Sequence, residues 1–331
     1  MRCHPAATSS ILARSRNDKK SAVRSVREEN DRQGLVLAHH GQTSLVESDT
    51  GDIIRCATRK NLPRTVCGDQ VRWLATNPRE GIITSVLERR TTLVRPDDRN
   101  TRNTRDRVIA ANIDQVVVVI ASKPSFEHGM LDRYLAAAEL IGAAPVIVLN
   151  KADMLDADSR SRLEQRLAVY REIGYPLLFT SALSKDALVD LHQQLKGHTS
   201  ILVGQSGVGK SSLAQILLPE ATIRTGSLSQ VTGLGRHTTT VAMLYHLPDG
   251  GDLIDSPGVR DFTLGEVEAP RLATGFREFA PYIGHCRFHN CRHLSEPGCA
   301  VQDAVRAGAI SQQRLENYQA LVGSLSSSSS R

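Results

Sequence analysis

A glycine-rich segment in the second half of the chain has the residue types that surround phosphate groups. Gly204, Gly209, Lys210 and Ser211 occupy every fixed position of the pattern G-x-x-x-x-G-K-[ST]. An apolar run precedes the segment and a predicted helix follows it, so backbone N–H groups and the positive end of that helix can face an anion. We expect Lys210 to reach the β- and γ-phosphates and Ser211 to ligate Mg²⁺. The predicted phosphate-binding residues are Gly204, Gln205, Ser206, Gly207, Val208, Gly209, Lys210, Ser211 and Ser212.

A second polar segment has residue types that can recognise a guanine base. Its residues follow the predicted strand Pro145–Leu149, and a polar turn after a strand is the alternative interpretation. The Asp153 carboxylate can accept hydrogen bonds from guanine N1–H and N2–H₂ together, whereas adenine lacks those donors. The predicted base-binding residues are Asn150, Lys151, Ala152 and Asp153, with Ser181 and Ala182 at the end of the next predicted strand as their companions.

The order of these two segments is unusual. The base-reading segment begins at Asn150, 54 residues before Gly204, whereas in an ordinary small GTPase the phosphate loop comes first. A third segment follows both, where Asp255 and Gly258 form the pattern D-x-x-G after two apolar residues. We expect Asp255 to act through the water shell of Mg²⁺ and the Gly258 N–H to contact the γ-phosphate, although an isolated tetrapeptide of this kind can also be a simple turn.

Residues 219–239, between the phosphate loop and Asp255, are predicted to form a switch segment that orders on the γ-phosphate. Thr239 and Thr240 are the favoured candidates for its Mg²⁺-binding threonine.

Many GTPases place a glutamine directly after D-x-x-G to orient the attacking water, but Val259 occupies that position here. His237 is the nearest replacement, and a solvated loop histidine is the alternative. The predicted catalytic residues are therefore His237 and Lys210.

A tight group of cysteines near the C-terminus has the composition of a metal site. Cys286, Cys291 and Cys299 lie close to His293, and three thiolates with one imidazole form a four-coordinate structural zinc set with no position open for water. His285 and His289 remain alternatives for the fourth ligand, and three metal-free cysteines are the other alternative. The chain has no apolar signal-peptide core, which favours a reducing compartment and hence metal over disulfides.

The elements that must position these residues fall into three blocks. Residues 34–90 contain five short predicted strands separated by Gly and Pro, which fits a small closed barrel of the OB-fold or SH3-like type. From residue 108 the run Gln115–Ile120, which is β-branched from Val116 onward, and the alternation of strands with helices predict a parallel, three-layer α/β sheet. Residues after 263 are predicted to be mostly helical. The remaining predicted elements are the strands Pro145–Leu149, Leu177–Thr180, Ser200–Val203, Thr240–His246 and Gly251–Asp255, and the helices Leu131–Ile141, Ser159–Ile173, Ser184–Leu195 and Lys210–Leu218.

Composition adds a weak preference for a polyanionic partner. The 331 residues carry a net charge of +6 with a pI of about 9.1, which favours nucleic acid, although a soluble basic surface is the simpler alternative. The sequence contains no run of 18 apolar residues, so no membrane span is predicted. The predicted organisation is a disordered basic arm (1–33), a barrel (34–90), a basic linker that is either solvated or a phosphate-contacting strip (91–107), the nucleotide-binding domain (108–262), a metal-binding domain (263–323) and a Ser-rich tail without evident structure (324–331).

Taken together, these residues resemble one family, the circularly permuted, ribosome small-subunit-dependent GTPases of the RsgA/YjeQ type. The resemblance covers roughly residues 34–320 and rests on the inverted order of the motifs and the Cys/His cluster. It implies an N-terminal OB-fold that binds RNA, a circularly permuted P-loop GTPase domain and a C-terminal helical zinc-binding domain. The spacing of the family's zinc site implies that His293 is the fourth ligand. The matching segments are Asn150–Asp153, Gly204–Ser212, Gly235–Thr240, Asp255–Gly258 and Cys286–Cys299.

The resemblance also implies a function. We expect a GTP hydrolase that acts as a late small (30S) ribosomal subunit assembly factor, binds 16S rRNA, is stimulated by the subunit and couples hydrolysis to release. The expected ligands are GTP or GDP, Mg²⁺ and one structural Zn²⁺, in a cytoplasmic monomer that binds neither DNA nor membrane. An RNA-binding scaffold with GTP as a structural ligand is a second hypothesis, kept open by Val259. An ATP-dependent enzyme is a third, which Asp153 disfavours.

Overall fold

The structure is a computed structural model that describes residues 31–95, 107–184, 186–218, 242–255 and 267–328, and the structural statements below refer to these residues. Several predicted features lie outside the described residues. They are nearly all of the basic arm, most of the stretch 91–107, the switch residues His237, Thr239 and Thr240, and Gly258 with Val259.

The N-terminal unit is a closed five-stranded barrel. Its strands hydrogen-bond in the order β1-β2-β3-β5-β4, and β4 also pairs with β1, which closes the barrel. β3 and β5 run parallel, so chain order and spatial order differ as in the Greek-key barrel of an OB-fold. The interior is apolar and centred on Trp73, which is 1% exposed. The strands are β1 Arg32–His40, β2 Thr43–Ser48, β3 Ile53–Thr58, β4 Gln70–Asn77 and β5 Glu80–Val86.

A short antiparallel hairpin connects the barrel to the central domain. Its strands are β6 Thr92–Arg95 and β7 Arg107–Ala111. β6 lies inside the stretch 91–107, where no strand was predicted. The arginine-rich composition of that stretch hid the strand, because its pairing partner comes from beyond the polar residues.

The central sheet is parallel except at one strand. β10, β9, β8, β11 and β13 lie side by side in that order and run parallel, whereas β12 pairs antiparallel with β13. The prediction of a wholly parallel sheet was therefore wrong at β12. A short turn joins β12 to β13, and parallel neighbours would need a longer crossover connection. The strands are β8 Gln115–Ala121, β9 Ala144–Asn150, β10 Leu177–Phe179, β11 Thr199–Val203, β12 Met243–His246 and β13 Asp252–Asp255.

Helices cover both faces of this sheet, as the sequence predicted. Every residue of β8 is buried, and alternate side chains face opposite ways: Val116 packs with α1 and α2, whereas Val117 packs with α3 and α4. The helices are α1 His128–Ile141, α2 Ala157–Ile173, α3 Val189–Leu195 and α4 Lys210–Leu217.

One of these helices is shorter than predicted. The sequence predicted a helix over Ser184–Leu195, but α3 begins at Val189 after a single 3-10 turn, Asp186–Leu188. The Leu183 N–H donates to Ser181 Oγ and the Ser184 N–H donates to the Ser181 carbonyl. These bonds form a turn on Ser181 that precedes the helix.

The C-terminal unit is built from α5 Ala269–Thr274, α6 Ala300–Arg306 and α7 Gln312–Ser328 around an aromatic core of Phe276, Phe279 and Tyr318. α7 extends to Ser328, so most of the Ser-rich tail predicted to lack structure is helical. None of the helices in the described ranges is long and apolar enough to cross a membrane.

Buried charges join the C-terminal unit to the central domain. Arg314 on α7 is 1% exposed and donates to Asp132 on α1 at 2.5 Å and to Glu278 at 2.6 and 3.0 Å. Tyr170 on α2 and Asn317 on α7 donate to the same Asp132 carboxylate, at 2.7 and 2.5 Å. Burial alone would lower the pKa of Arg314, but the two carboxylates raise it, so the guanidinium stays charged.

A different contact joins the barrel to the central sheet. β1 pairs with β12 at Ala38 and Met243, so the barrel and the sheet share one hydrogen-bonded surface. Beside this pairing, His246 on β12 bonds through Nδ1 to Asp252 at 2.6 Å and through Nε2 to Glu47 of the barrel at 2.7 Å. Asp252 and Glu47 raise the pKa of His246 to about 9, although burial opposes the shift. The barrel is therefore held by a histidine that keeps its proton at neutral pH.

Replacing Arg314 with methionine should destabilise the protein strongly. The variant leaves the Asp132 and Glu278 carboxylates buried without their cation, which typically costs about 3–5 kcal/mol. Arg306→Gln is the matched control, because it breaks an exposed ion pair with Asp303 that contributes less than about 1 kcal/mol. Urea unfolding followed by circular dichroism measures both. Equal unfolding midpoints for the two variants would contradict a stabilising role for the buried pair.

The stabilisation contributed by His246 should decline as pH rises. Its pKa is raised from 6.5 to about 9 in the folded protein, so the contribution is complete below pH 6.5 and is lost as pH rises through about 9. We expect His246→Gln to lower the melting temperature at pH 6 and to have little effect near pH 10. Thermal unfolding across this range measures the difference, and Glu47→Gln should weaken the same pH dependence. If the difference in melting temperature between the wild type and His246→Gln does not change with pH, His246 is not the source of the pH dependence.

Candidate functional site

Each predicted nucleotide-binding segment begins where a parallel strand ends. β9 ends at Asn150, β11 leads into Gly204, and β13 ends at Asp255. These strands belong to the run β10-β9-β8-β11-β13, so their carboxyl ends share one edge of the sheet. Open α/β sheets bind ligands at this edge. The fold therefore assembles the segments at one place despite their inverted order along the chain.

The phosphate loop lies tightly against its neighbours. Gly204 has φ +136° and Gly209 has φ +94°, values that L side chains rarely adopt. A Cβ at Gly204 would lie 2.1 Å from the Val119 carbonyl oxygen, and a Cβ at Gly209 would lie 2.3 Å from Asn150 Nδ2. Only glycine fits at either position, and the backbone between them can approach a phosphate closely.

Polar groups line the phosphate loop. Lys210 Nζ donates to the carbonyl oxygens of Gly204 at 2.6 Å and Gln205 at 2.7 Å, so its ammonium lies on the loop backbone. α4 begins at Lys210, with the Ser211 and Ser212 side chains exposed in its first turn. An ammonium, a helix N-terminus and two hydroxyls suit a phosphate chain with its divalent cation. Gln205, Ser206 and Gly207 form the exposed tip of the loop, and Val208 is buried beneath it.

The base-reading loop and the phosphate loop are hydrogen-bonded to each other. Asn150 Nδ2 donates to the Val208 carbonyl at 2.9 Å, and Lys151 Nζ donates to the Gly207 carbonyl at 2.8 Å and to the Lys123 carbonyl at 2.9 Å. Lys151 takes a left-handed conformation, with φ +62°, to reach across. Asn150 Oδ1 is buried and has no hydrogen-bond partner in the described part of the chain, so it can accept from a ligand donor.

Asp153 is held by the companion segment. Ser181 Oγ donates to Asp153 Oδ1, and the Ala152 N–H donates to the Thr180 carbonyl at 2.9 Å. Asp153 is exposed, whereas Ser181 is 2% exposed and Ala182 is half-buried. A buried hydroxyl therefore orients an exposed carboxylate, which keeps acceptor capacity for the adjacent N–H donors of a guanine ring.

The magnesium side of the site is only partly described. Asp255 is exposed at the end of β13, the strand beside β11. It therefore lies one strand from the phosphate loop on the same edge. The other residues predicted for this side, Thr239, Thr240, Gly258 and the catalytic candidate His237, belong to the parts of the chain that the structure does not describe.

The four predicted zinc ligands converge in the C-terminal unit. His293 Nδ1 lies 3.6 Å from Cys286 Sγ, 3.6 Å from Cys291 Sγ and 3.3 Å from Cys299 Sγ, and the Cys286 and Cys299 sulfurs are 4.0 Å apart. A tetrahedral ion with Zn–S of about 2.3 Å and Zn–N of about 2.05 Å needs edges of about 3.6 Å between N and S and about 3.8 Å between S and S. The donor set thus fits a zinc ion.

The structure also distinguishes among the three histidines near this site. His293 is 4% exposed and meets the thiols, whereas His285 and His289 are exposed and lie outside the group of potential ligands. Burial lowers the pKa of His293, which keeps its imidazole neutral, as a ligand must be. Burial raises the pKa of Cys291 to about 12, so its thiolate form needs a nearby cation.

The sequence alone did not predict two exposed apolar side chains beside Asp153. Leu183 is 86% exposed, and its N–H donates to Ser181 Oγ at 3.1 Å, which places it two hydrogen bonds from Asp153. Met154 follows Asp153 directly and is 59% exposed. Periodicity could not identify them, because both lie in short segments between predicted elements, where no repeat shows whether an apolar side chain is buried.

Comparison with protein families finds one matching family, described as RsgA GTPase, over residues 86–265. The chain is 48% identical over 299 residues to the small ribosomal subunit biogenesis GTPase RsgA of Pseudomonas syringae pv. syringae, covering 89% of this chain and 86% of the relative. It is 47% identical over 295 residues to the protein of the same name from Pseudomonas aeruginosa, with the same coverage.

Two solved structures share the fold. YjeQ from Thermotoga maritima matches with a TM-score of 0.74 and 32% identity, over 89% of this chain and 98% of that one. YloQ, described as a circularly permuted GTPase, matches with a TM-score of 0.72 and 29% identity, over 90% of this chain and 96% of that one. The comparisons confirm the predicted resemblance and the predicted fold class.

Leu183→Ser should weaken guanine-nucleotide binding. A purine ring beside Asp153 would cover part of this leucine, and half of a leucine's transfer free energy is about 1 kcal/mol, or about fivefold in Kd. The effect should be equal for GDP and GTP, because the base is common to both. Fluorescent-nucleotide titration measures it, with Val189→Ser as the matched control at a 55% exposed apolar residue of α3. Unchanged affinity in Leu183→Ser would exclude the contact.

Removing the zinc should unfold the C-terminal unit and spare the nucleotide site. The Cys/His cluster holds the loop between α5 and α6, whereas the nucleotide loops depend on the central sheet. We expect mild chelation to raise hydrogen exchange in residues 267–328, while GDP affinity is maintained. Hydrogen-exchange mass spectrometry and nucleotide titration of the same sample test both parts. Loss of GDP binding at the same chelator concentration would contradict this separation.

Proposed function

The chain belongs to the RsgA GTPase family, and from this premise we propose how its residues serve GTP hydrolysis in small ribosomal subunit biogenesis. It is a GTP-hydrolysing enzyme of that process. The finer proposal is that it binds 16S rRNA on the small subunit, that the subunit stimulates hydrolysis, and that hydrolysis governs release of the enzyme.

One observation carries the nucleotide part of this proposal. Asn150 and Lys151 hydrogen-bond directly to the carbonyl groups of the phosphate loop, although that loop comes later in the chain. A loop that recognises a base and a loop that binds phosphates must lie a nucleotide's length apart with little freedom. The bonds between them supply that rigidity and support binding of a guanine nucleotide.

Each predicted residue then has a proposed role. Asp153, oriented by Ser181, accepts from the guanine N1–H and N2–H₂ groups, and the Lys151 stem covers the ring. The backbone N–H groups of Gly204–Gly209 and the Lys210 ammonium bind the phosphates. Ser211, Asp255 and either Thr239 or Thr240 hold Mg²⁺, with Asp255 acting through water, and Gly258 contacts the γ-phosphate. When bound, the ion neutralises charge that develops on the phosphate oxygens.

Val259 indicates that another group must orient the attacking water. A valine side chain cannot orient water by hydrogen bonding, so the intrinsic rate should be low. We propose that His237 takes this task once the subunit positions the switch segment. The same valine favours one alternative function, an RNA-binding scaffold for which GTP is a structural ligand and turnover is incidental.

A basic surface of the barrel supports contact with rRNA. Residues 53–68, which include β3, contain no acidic residue and carry four cationic side chains, Arg55, Arg59, Lys60 and Arg64, all exposed. OB-fold barrels bind oligonucleotides at such strand and loop surfaces, and closely spaced cations bind phosphates. We propose that this segment contacts 16S rRNA.

The connection between barrel and sheet supports coupling of hydrolysis to release. β12 follows the predicted switch segment directly and pairs with β1 of the barrel, where His246 bonds to Glu47. A change in the switch therefore acts on a strand that is hydrogen-bonded to the proposed RNA-binding unit.

We propose that the enzyme works in the cytoplasm as a monomer and binds neither DNA nor membrane. We also propose that one Zn²⁺ stabilises its C-terminal unit, held by Cys286, Cys291, His293 and Cys299.

GTP turnover titrated with purified small ribosomal subunits tests the proposal. We expect turnover to rise and then saturate with subunit concentration, because the subunit completes the site around the attacking water. Lys210→Ala should abolish the stimulated turnover, whereas Lys196→Ala, at an exposed lysine after α3, should not change it. Turnover that stays low at saturating subunit would favour the scaffold alternative and overturn the proposed stimulation.

A further inference from the structure

Phe288 is the only aromatic residue among the large apolar side chains exposed in the described residues, with an exposed fraction of 42%. Aromatic residues make up 4% of the chain, and the neighbouring rings of Phe276 and Phe279 are fully buried. The exposed ring is apolar surface that a binding partner can cover.

The zinc site holds this ring at the tip of a rigid loop. Phe288 lies between the ligands Cys286 and Cys291, and the Cys291 N–H donates to the Phe288 carbonyl at 3.2 Å. The Arg287 N–H donates to the Gly298 carbonyl at 2.9 Å, which ties the tip to the other end of the loop. Because the backbone is already ordered, covering the ring costs little conformational entropy.

The surface around the ring is suited to a polyanion. Residues 279–295 contain no acidic residue, while Arg287, Arg292, His285 and His289 are exposed there. The Arg287 guanidinium lies 5.4 Å from the centre of the Phe288 ring. The flanking carboxylates are already engaged: Glu278 binds Arg314, and Glu296 accepts from the N–H groups of Arg292, Leu294 and Ser295.

We propose that the tip formed by Arg287 and Phe288 binds an unpaired nucleotide of the small-subunit RNA, with the base stacked on Phe288 and the phosphate paired with Arg287. The proposal rests on the proposed small-subunit function and adds a second RNA contact far from the barrel in sequence. An aromatic ring can stack only on a base whose face is free, so the target is a loop, bulge or strand end and not a duplex. The cationic surroundings favour RNA over an apolar protein groove.

Three variants of the full-length, zinc-loaded protein test this. Phe288→Leu keeps an apolar side chain but removes the ring, and we expect its affinity for small subunits to fall about tenfold, the effect of one lost base stack. Phe288→Trp keeps a ring and should bind as the wild type does. Arg287→Gln should reduce the slope of log K against log salt by about one, whereas Phe288→Leu should leave that slope unchanged.

The tryptophan variant also reports stacking directly. The chain has one native tryptophan, Trp73, which is buried in the barrel at 1% exposure, so Trp fluorescence that changes on binding reports position 288. We expect a short single-stranded oligoribonucleotide to quench it and the same strand annealed to its complement not to.

The outcomes separate the stacking proposal from the function on which it rests. Wild-type affinity in Phe288→Leu, or quenching by ribosomal proteins and not by single-stranded RNA, overturns the stacking proposal. A wild-type protein that fails to bind small subunits overturns the proposed function instead, and the oligoribonucleotide titration still decides whether Phe288 stacks on a base.

Discussion

The predicted base-reading loop and the predicted phosphate loop both depend on one buried strand, β8, which pairs with β9 on one side and with β11 on the other. These parallel ladders set the spacing between the base-reading loop after β9 and the phosphate loop after β11. The side-chain bonds from Asn150 and Lys151 to the phosphate loop form because both strands end at the same edge of the sheet. Pairing of strands does not require a particular chain order, so the site survives circular permutation.

Permutation changes what is attached to this core. In chain order the barrel precedes the central domain and the C-terminal unit follows it. Each of these two outer units is joined to the central domain by a different interaction. The barrel continues the sheet through β1 and β12, a backbone contact at Ala38 and Met243 with the solvent-accessible His246 beside it. The C-terminal unit is joined through Arg314 and Asp132, a buried ion pair that tolerates little displacement. A hydrogen-bonded strand edge and a buried charge pair differ in stiffness, so the two outer units need not respond equally to the nucleotide.

Much of the fold was predictable where the signal is local. Val116–Ile120 is β-branched without interruption, and such a run is typical of a strand buried on both faces of a sheet. The direction of β12 was not predictable in this way, because both directions suit an apolar tetrapeptide and only the short turn to β13 decides. Ser184–Leu195 was predicted to be one helix, but a turn on Ser181 and a single 3-10 turn, Asp186–Leu188, precede the helix that begins at Val189.

The sequence by itself determined the chemistry available to this protein: a glycine-rich loop suited to phosphate, a carboxylate suited to guanine and a Cys/His set suited to zinc. These signals depend on residue type and on spacing over a few positions, and local backbone geometry converts such spacing directly into shape. Only the tertiary structure decided that Leu183 beside Asp153 stays exposed and that the carboxylates of Asp132 and Glu278 share Arg314. Those outcomes depend on burial and on partners up to 182 residues apart, and no local pattern in the chain records such contacts.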